Sequence, residues 1–337
     1  MRKPIVLTLA VVAALAISAC GSKSEDIDPQ TEPLSLSLDW YPNPDHAGIF
    51  TAKDAGFFQD AGLDVDIETP TDPALPIKLV AAGKVDLALS YEPEVLLARE
   101  QGLDVVAVGA VVNQPLTSMM WLKKSKVKRV ADLKGKTVST AGIPYQDAYL
   151  KTILDRAGLT ESQVNNVAVG QGLLPSIVSG KAQATLGPYW NIEGVDLKLS
   201  GQKPVINPVN KLGVPTYDEL VVVAQGQRVK DDPDSIRLFM SALARGTGEA
   251  VSKPNAATDT VLKANPDLDP KVTAAQVRVT LPLLDQKSEF EPFGYMDPGD
   301  WQSFINWMVD NEVLGGQQRA VDALTNELLP GGPVDPG

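Results

Sequence analysis

Two stretches of this chain obey one pattern: Leu79-Val80-Ala81-Ala82-Gly83-Lys84-Val85-Asp86-Leu87-Ala88 and Ser176-Ile177-Val178-Ser179-Gly180-Lys181-Ala182-Gln183-Ala184-Thr185. Each is the end of an apolar helix, a Gly-Lys stop and a short apolar strand. Glycine stops a helix because it enters the left-handed conformation without a Cβ penalty. The surroundings alternate in the same way. Strand signals fall at 34–38, 63–68, 85–89 and 105–112, with helices predicted at 47–61, 74–82 and 92–101. A second series has strands at 119–122, 137–140, 164–169 and 182–186 and helices at 146–157 and 173–179. Strand and helix alternating at short spacing predict a mostly parallel sheet with helices on both faces. The internal similarity predicts two related α/β lobes rather than a short-period solenoid.

The chain has 337 residues, enough for two domains at about 150 residues each. Crossings between lobes are expected near 113–118 and 211–218. Lobe one is then 34–114 plus 219–330, and lobe two is 115–218. The last third is read as helices at 233–251, 255–264, 270–284, 300–312 and 321–329, whose apolar stripes are core. The tail 331–337, Pro- and Gly-rich, is expected to fray.

Residues 1–19 read as a secretory signal: Arg2 and Lys3, then an apolar run from Ile5 to Ile17 interrupted by Thr8. The run is shorter than the roughly 20 residues of a comfortable membrane span. Ile17-Ser18-Ala19-Cys20 resembles the lipobox of bacterial lipoproteins, which implies cleavage before Cys20 and a lipidated Cys20 at the new terminus. Residues 20–33 would then tether the fold to the membrane surface, outside the cytoplasm.

Composition excludes several functions. One Cys and one His cannot form a Cys/His zinc site or a multi-His hydrolase centre. A net charge of −12 argues against nucleic-acid binding. No Gly-x-Gly-x-x-Gly, no phosphate-binding Gly-x4-Gly-Lys and no Gly-x-Ser-x-Gly elbow is present. Ser-His-Asp chemistry would have to use His46, which lies in a double-proline loop. No cofactor and no metal are expected.

What is left is a set of aromatic and polar residues just beyond strand ends, where open α/β sheets bind ligands. They are Asp39, Trp40, Asn43 and His46 after the first strand, and Ser90, Tyr91 and Glu92 after the third. Gly142 and Tyr145 follow the strand at 137–140, and Tyr189, Trp190, Asn191 and Glu193 follow the strand at 182–186. Aromatic rings beside acids and amides suit a flat, nitrogen-rich ring, stacked on Trp or Tyr and paired through its amino and ring nitrogens. Each residue also has a structural reading. Trp40 can be core at the lobe boundary, His46 a loop or capping residue, Glu92 a helix-start charge, and Tyr189 and Trp190 hinge packing.

The stretch from Leu38 to Ile49, with its Trp40-Tyr41-Pro42-Asn43 and His46-Ala47-Gly48, is similar to the opening of NMT1/THI5-like solute-binding proteins. So are Gly56-Phe57-Phe58, the run from Leu79 to Glu92, and Asp132-Leu133-Lys134-Gly135-Lys136-Thr137-Val138. The resemblance spans about residues 34–250, and Trp-Tyr-Pro-Asn-x-x-His-x-Gly points to the pyrimidine-binding branch. It implies a periplasmic-binding-protein-like fold of type II, with two α/β lobes, a hinge and an interlobe cleft. It implies a monomeric, non-enzymatic receptor that delivers a thiamine pyrimidine precursor to the permease and ATPase of an ABC importer. Riboflavin, or a sulfonate, taurine or nitrate-type solute, is the alternative cargo. Fungal relatives are cytosolic enzymes rich in Cys; this chain has an export signal and no Cys after Cys20. A secreted enzyme using His46 and Glu92 as acid and base, or a scaffold lipoprotein without a ligand, are the remaining readings.

If the Trp40 ring stacks on the ligand, Trp40→Ala weakens binding by about 1–3 kcal/mol, read as a rise in Kd. An unchanged Kd removes Trp40 from the site.

Overall fold

The computed structural model describes residues 31–286 and 290–331. The expected signal, Cys20 and nearly all of the tether and tail lie outside the described residues. Ten strands are formed: β1 Glu32–Ser37, β2 Leu63–Glu68, β3 Leu87–Ser90, β4 Val105–Val112, β5 Thr117–Leu122, β6 Thr137–Thr140, β7 Asn165–Ala168, β8 Ala184–Tyr189, β9 Pro204–Pro208 and β10 Leu220–Gln225. They make two five-stranded sheets, ordered β2-β1-β3-β10-β4 and β7-β6-β8-β5-β9. No described helix is long and apolar enough to cross a membrane.

In each sheet four strands run one way, the mostly parallel arrangement expected, and one strand is reversed, which makes both sheets mixed. In the first, β2, β1 and β3 run parallel and β10 runs antiparallel to β3 and β4. In the second, β7, β6 and β8 run parallel and β5 runs antiparallel to β8 and β9. The reversed strand is in each case the one by which the chain enters from the other sheet. β4 ends at Val112 and β5 starts at Thr117; β9 ends at Pro208 and β10 starts at Leu220. An entering strand begins at the end where its neighbours finish, so it can only pair antiparallel. Leu220 of β10 accordingly sits opposite Val112 of β4. The carboxyl ends of β1, β3 and β4 therefore share one edge with the crossings.

Local sequence explains the elements. Leu34, Leu36 and Leu38 are buried on one face, while on the other Ser35 is half-buried and Ser37 buried, so β1 is covered on both faces towards its carboxyl end. The helix expected over 47–61 breaks into Ala47–Asp54 and Phe57–Asp60 because Gly56 is left-handed, with φ 75°. The helix expected over 321–329 is cut to Ala320–Ala323, since Leu324 bridges to Ala107 on the β4 edge and Thr325 N–H donates to Ala107 O at 2.9 Å. An unpaired strand edge satisfied those backbone groups instead of a helix.

In lobe one the Ala47–Asp54 helix packs on the long Pro233–Ser252 helix, and Phe58 stacks on Phe239 at 5.2 Å. The two helices touch backbone to backbone at Gly246. A Cβ there would meet Gly48 O at 2.6 Å and Ala52 Cα at 2.7 Å. Between the lobes an aromatic cluster runs from Tyr149, on the Pro144–Arg156 helix, through Tyr217 to Phe304 and Trp307 on the Pro298–Asp310 helix.

Gly246→Ala is expected to destabilise the protein by about 1–3 kcal/mol through overpacking, seen as a lower denaturant midpoint. An unchanged midpoint means that the two helices separate without cost.

Candidate functional site

The loop after β1 folds on itself. Asn43 caps the short turn Pro44–His46, its Oδ1 accepting the Asp45 N–H at 2.9 Å. The Asn43 N–H donates to His46 Nδ1 at 3.2 Å, which leaves the ring proton on Nε2. That Nε2–H donates to Asp39 Oδ1 at 2.8 Å, and the Tyr91 hydroxyl donates to Asp39 Oδ2 at 2.6 Å. Burial pushes the Asp39 carboxyl up, but the hydrogen bonds from His46 and the Tyr91 hydroxyl outweigh it and hold Asp39 below its ordinary 3.8. His46 is fully buried with both ring nitrogens engaged in this loop, so it positions Asp39.

After β3, Tyr91 is the extended residue before the Glu92–Glu100 helix, which Pro93 starts. The two acids of its first turn point to different places. Glu94 accepts from Ser90 Oγ at 2.9 Å and lies within electrostatic reach of Asp39; burial raises it to about 7. Glu92 turns to the crossing segment, its Oε2 accepting the Asp218 N–H at 2.7 Å.

Lobe two contributes from the ends of β6 and β8. Gly142 follows β6 in left-handed backbone, and Tyr145 opens the next helix, buried. Tyr189 ends β8, and its N–H donates to Glu193 Oε2 at 2.8 Å; burial raises Glu193 to about 7. The Tyr145 hydroxyl feels Glu94, and the Tyr189 hydroxyl feels Glu219, Tyr91, Asp39 and Tyr145. Burial first, and then these charges, lift the Tyr91, Tyr145 and Tyr189 hydroxyls well above 10, so they remain donors. Asp39, Ser90, Tyr91, Tyr145 and Tyr189 are thus brought together, with Glu94 added, and Glu193 sits behind them on the Tyr189 backbone.

Other expected residues have different neighbours. Trp40 packs edge-on against Tyr41 at 5.9 Å. Trp190 packs against the cores of both lobes, and its Nε1–H donates to Pro115 O at 3.2 Å, inside the first crossing. The structure records no contact between the two indoles. Asn191 is a cross-lobe bond: its amide donates to Asp45 Oδ1 at 2.6 Å and to Thr280 Oγ1 at 2.8 Å. Burial raises Asp45 to about 7.

Sequence reasoning missed Asp45, Glu94, Gln146 and Glu219. Ser90-Tyr91-Glu92-Pro93-Glu94 carries both acids, and only the helix phase separates them. Gln146 adjoins Tyr145, and its Oε1 is buried without a partner. Glu219 had no local signal. Among the described residues no three His, Cys, Asp or Glu are grouped to hold a metal.

A family model described as NMT1/THI5 like matches residues 43–257. A formylaminopyrimidine-binding protein of Halalkalibacterium halodurans is 36% identical over 321 residues, covering 94% of this chain and 96% of that one. A 4-amino-5-hydroxymethyl-2-methylpyrimidine phosphate synthase of Schizosaccharomyces pombe is 24% identical over 66% of this chain and 67% of its own. Among solved structures, the periplasmic aliphatic sulphonate binding protein SsuA of Escherichia coli superposes with a TM-score of 0.69 at 15% identity, over 90% of this chain and 96% of that one. That last likeness is one of fold: two α/β lobes of the periplasmic-binding-protein type.

The raised acids make stability depend on pH. Asp45, Glu94 and Glu193 keep protons near pH 7 that the unfolded chain has already released. Their contribution is complete below about pH 4 and is lost as pH rises through 7, each at up to about 1.4 kcal/mol per pH unit. Asp39 acts oppositely: its contribution is present above its ordinary 3.8 and is lost as pH falls through its lower folded value. The ligand-free protein should therefore melt higher at about pH 5.5 than at about pH 8, and Glu94→Gln should flatten that difference. A melting temperature that rises between these pH values contradicts the assignment.

Proposed function

Because this chain belongs to the NMT1/THI5-like family, we propose that it is an extracytoplasmic substrate-binding protein that captures a thiamine pyrimidine precursor of the formylaminopyrimidine or hydroxymethylpyrimidine type. It hands that ligand to the permease and ATPase of an ABC importer. The observation that carries this reading is the group of Asp39, Tyr91 and Glu94 from one lobe within electrostatic reach of Tyr145 and Tyr189 from the other, with Glu193 held on the Tyr189 backbone. An aminopyrimidine presents an exocyclic N–H donor beside ring-nitrogen acceptors. Ionised Asp39 is an acceptor only, whereas Glu94 and Glu193, each about 7, can present either C=O or O–H to the ring. Phenol faces supply the stacking surface.

The alternatives are less well served. A sulfonate or nitrate would meet carboxylates at closest approach, and anions are bound by cations and N–H donors. A riboflavin-like ring keeps the same stacking and pairing chemistry and is separated by experiment. A receptor rather than an enzyme is favoured because His46, the single His of the chain, spends both nitrogens on Asn43 and Asp39. Cys20 would supply the lipid anchor, and the receptor would act as a monomer, Tyr145 and Tyr189 closing on the ligand by hinge motion of lobe two, residues 115–218.

Isothermal titration of the purified protein with formylaminopyrimidine, hydroxymethylpyrimidine, riboflavin, taurine and nitrate tests the reading. A pyrimidine is expected to bind, and Glu193→Gln or Tyr189→Ala should weaken it about tenfold or more. Binding of taurine or nitrate with silence toward both pyrimidines overturns the proposal, as does conversion of the pyrimidine to a product of different mass.

A further inference from the structure

A cavity of about 180 Å³ opens at the hinge end of the first sheet, lined by none of the residues grouped around Asp39. Glu92 and Asp218 line it and are buried; Asp297 and Asp300 line it and are exposed, which places them at its mouth. Asp218 Oδ2 accepts the Trp301 Nε1–H at 2.7 Å, and Asp297 Oδ1 accepts the N–H groups of Gly299 and Asp300, capping their helix. Glu92 has given Oε2 to the Asp218 N–H, but its Oε1 is buried with no hydrogen-bond partner. Among the described residues, no Lys or Arg forms an ion pair with Glu92, Asp218, Asp297 or Asp300. A carboxylate oxygen enclosed without a donor is costly, and a cavity with further acids at its mouth is where a cationic donor would relieve it.

We infer that this cavity is a binding site for a small primary ammonium ion, held by Glu92 Oε1 and Asp218 at its floor and by Asp300 at its mouth. Its N–H donors are met by the two buried acids, Glu92 and Asp218, while Asp300 supplies charge at the mouth. A quaternary ammonium lacks those donors. An inner-sphere metal is disfavoured because no three acids here are spaced to ligate one. The inference is independent of the pyrimidine reading, since no residue is shared with the Asp39 group.

Proton linkage gives the site a second signature. Burial, then Asp218 and Asp300, hold the Glu92 carboxyl well above 4.5; burial, then Asp300 and Asp297, raise Asp218 to about 7. Tyr149, on the facing helix of lobe two, also feels Glu92, and Glu291, Tyr217 and Tyr295 are the further titratable groups that line the cavity. An ammonium ion binds best once these acids have given up their protons, so its affinity rises between about pH 6 and about pH 8.5.

The test is titration of the full chain with methylammonium chloride, with tetramethylammonium chloride making up constant ionic strength. The readout is the Trp301 indole N–H resonance, identified by its loss in Trp301→Phe. A saturable shift is expected, weaker at the lower pH, with Kd raised about tenfold in Glu92→Gln and about threefold in Asp300→Asn. Asp300 is exposed, so Asp300→Asn keeps the test valid should Glu92→Gln fail to fold. A non-saturating shift, an equal shift with tetramethylammonium alone, or unchanged affinity in folded Asp300→Asn overturns the inference.

Discussion

One buried carboxylate holds the two crossings together. Glu219 accepts the N–H groups of Leu116 and Thr117 at 2.6 and 2.8 Å, the Thr117 hydroxyl at 3.0 Å and the Tyr217 hydroxyl at 3.0 Å. Leu116 and Thr117 belong to the outward crossing, Tyr217 and Glu219 to the return. Burial raises the Glu219 carboxyl, and these four donors draw it back down without fully offsetting that rise. Since β5 and β10 begin beside it, this contact sets where each sheet starts relative to the other. The edge on which Asp39, Tyr91, Tyr145 and Tyr189 converge depends on that placement.

The same end of the molecule separates two acidic neighbourhoods. On one side, the loop holds Asp39 ionised, with His46 behind it and Tyr91 beside it. On the other side, Glu92 and Asp218 share a cavity in which no Lys or Arg among the described residues pairs with them. The division is made by one helical turn: Glu92 and Glu94 lie two residues apart and leave the helix in different directions. Cross-lobe bonds from Asn191 to Asp45 and Thr280, and from Gln276 to Asp196 at 3.1 Å, close the lobes over the first neighbourhood. Motion of the lobes must break them, so the expected pH dependence of Asp45 bears on closure as well as on stability.

Much of the fold was legible because it is written in short-range pattern. The alternation of Leu34, Leu36 and Leu38, the glycine stops and the Gly-Lys repeats are each set by steric and periodic rules that act within a few residues. The site was legible only in part. Asp39, Tyr91, Tyr189 and Glu193 stood out because they follow strands, and strand ends face the cleft. Trp190 and Asn191 stood out for the same reason, yet one serves the crossing and the other bonds the lobes together. Position after a strand places a residue near the cleft but does not say which neighbour claims its side chain.

Sequence alone determined the two-lobed α/β plan, the double-proline loop around His46 and the acidic, aromatic character of the strand ends, because those properties follow from backbone sterics, helix and strand periods and side-chain chemistry. Tertiary structure alone decided that β5 and β10 run against their neighbours, that Glu94 rather than Glu92 joins Asp39, and that Glu219 is the buried link of the crossings. Each of these depends on partners far apart in sequence, 52 residues between Tyr91 and Asp39 and 103 between Glu219 and Leu116, whose meeting is fixed by the joint burial of both lobes and by no local preference.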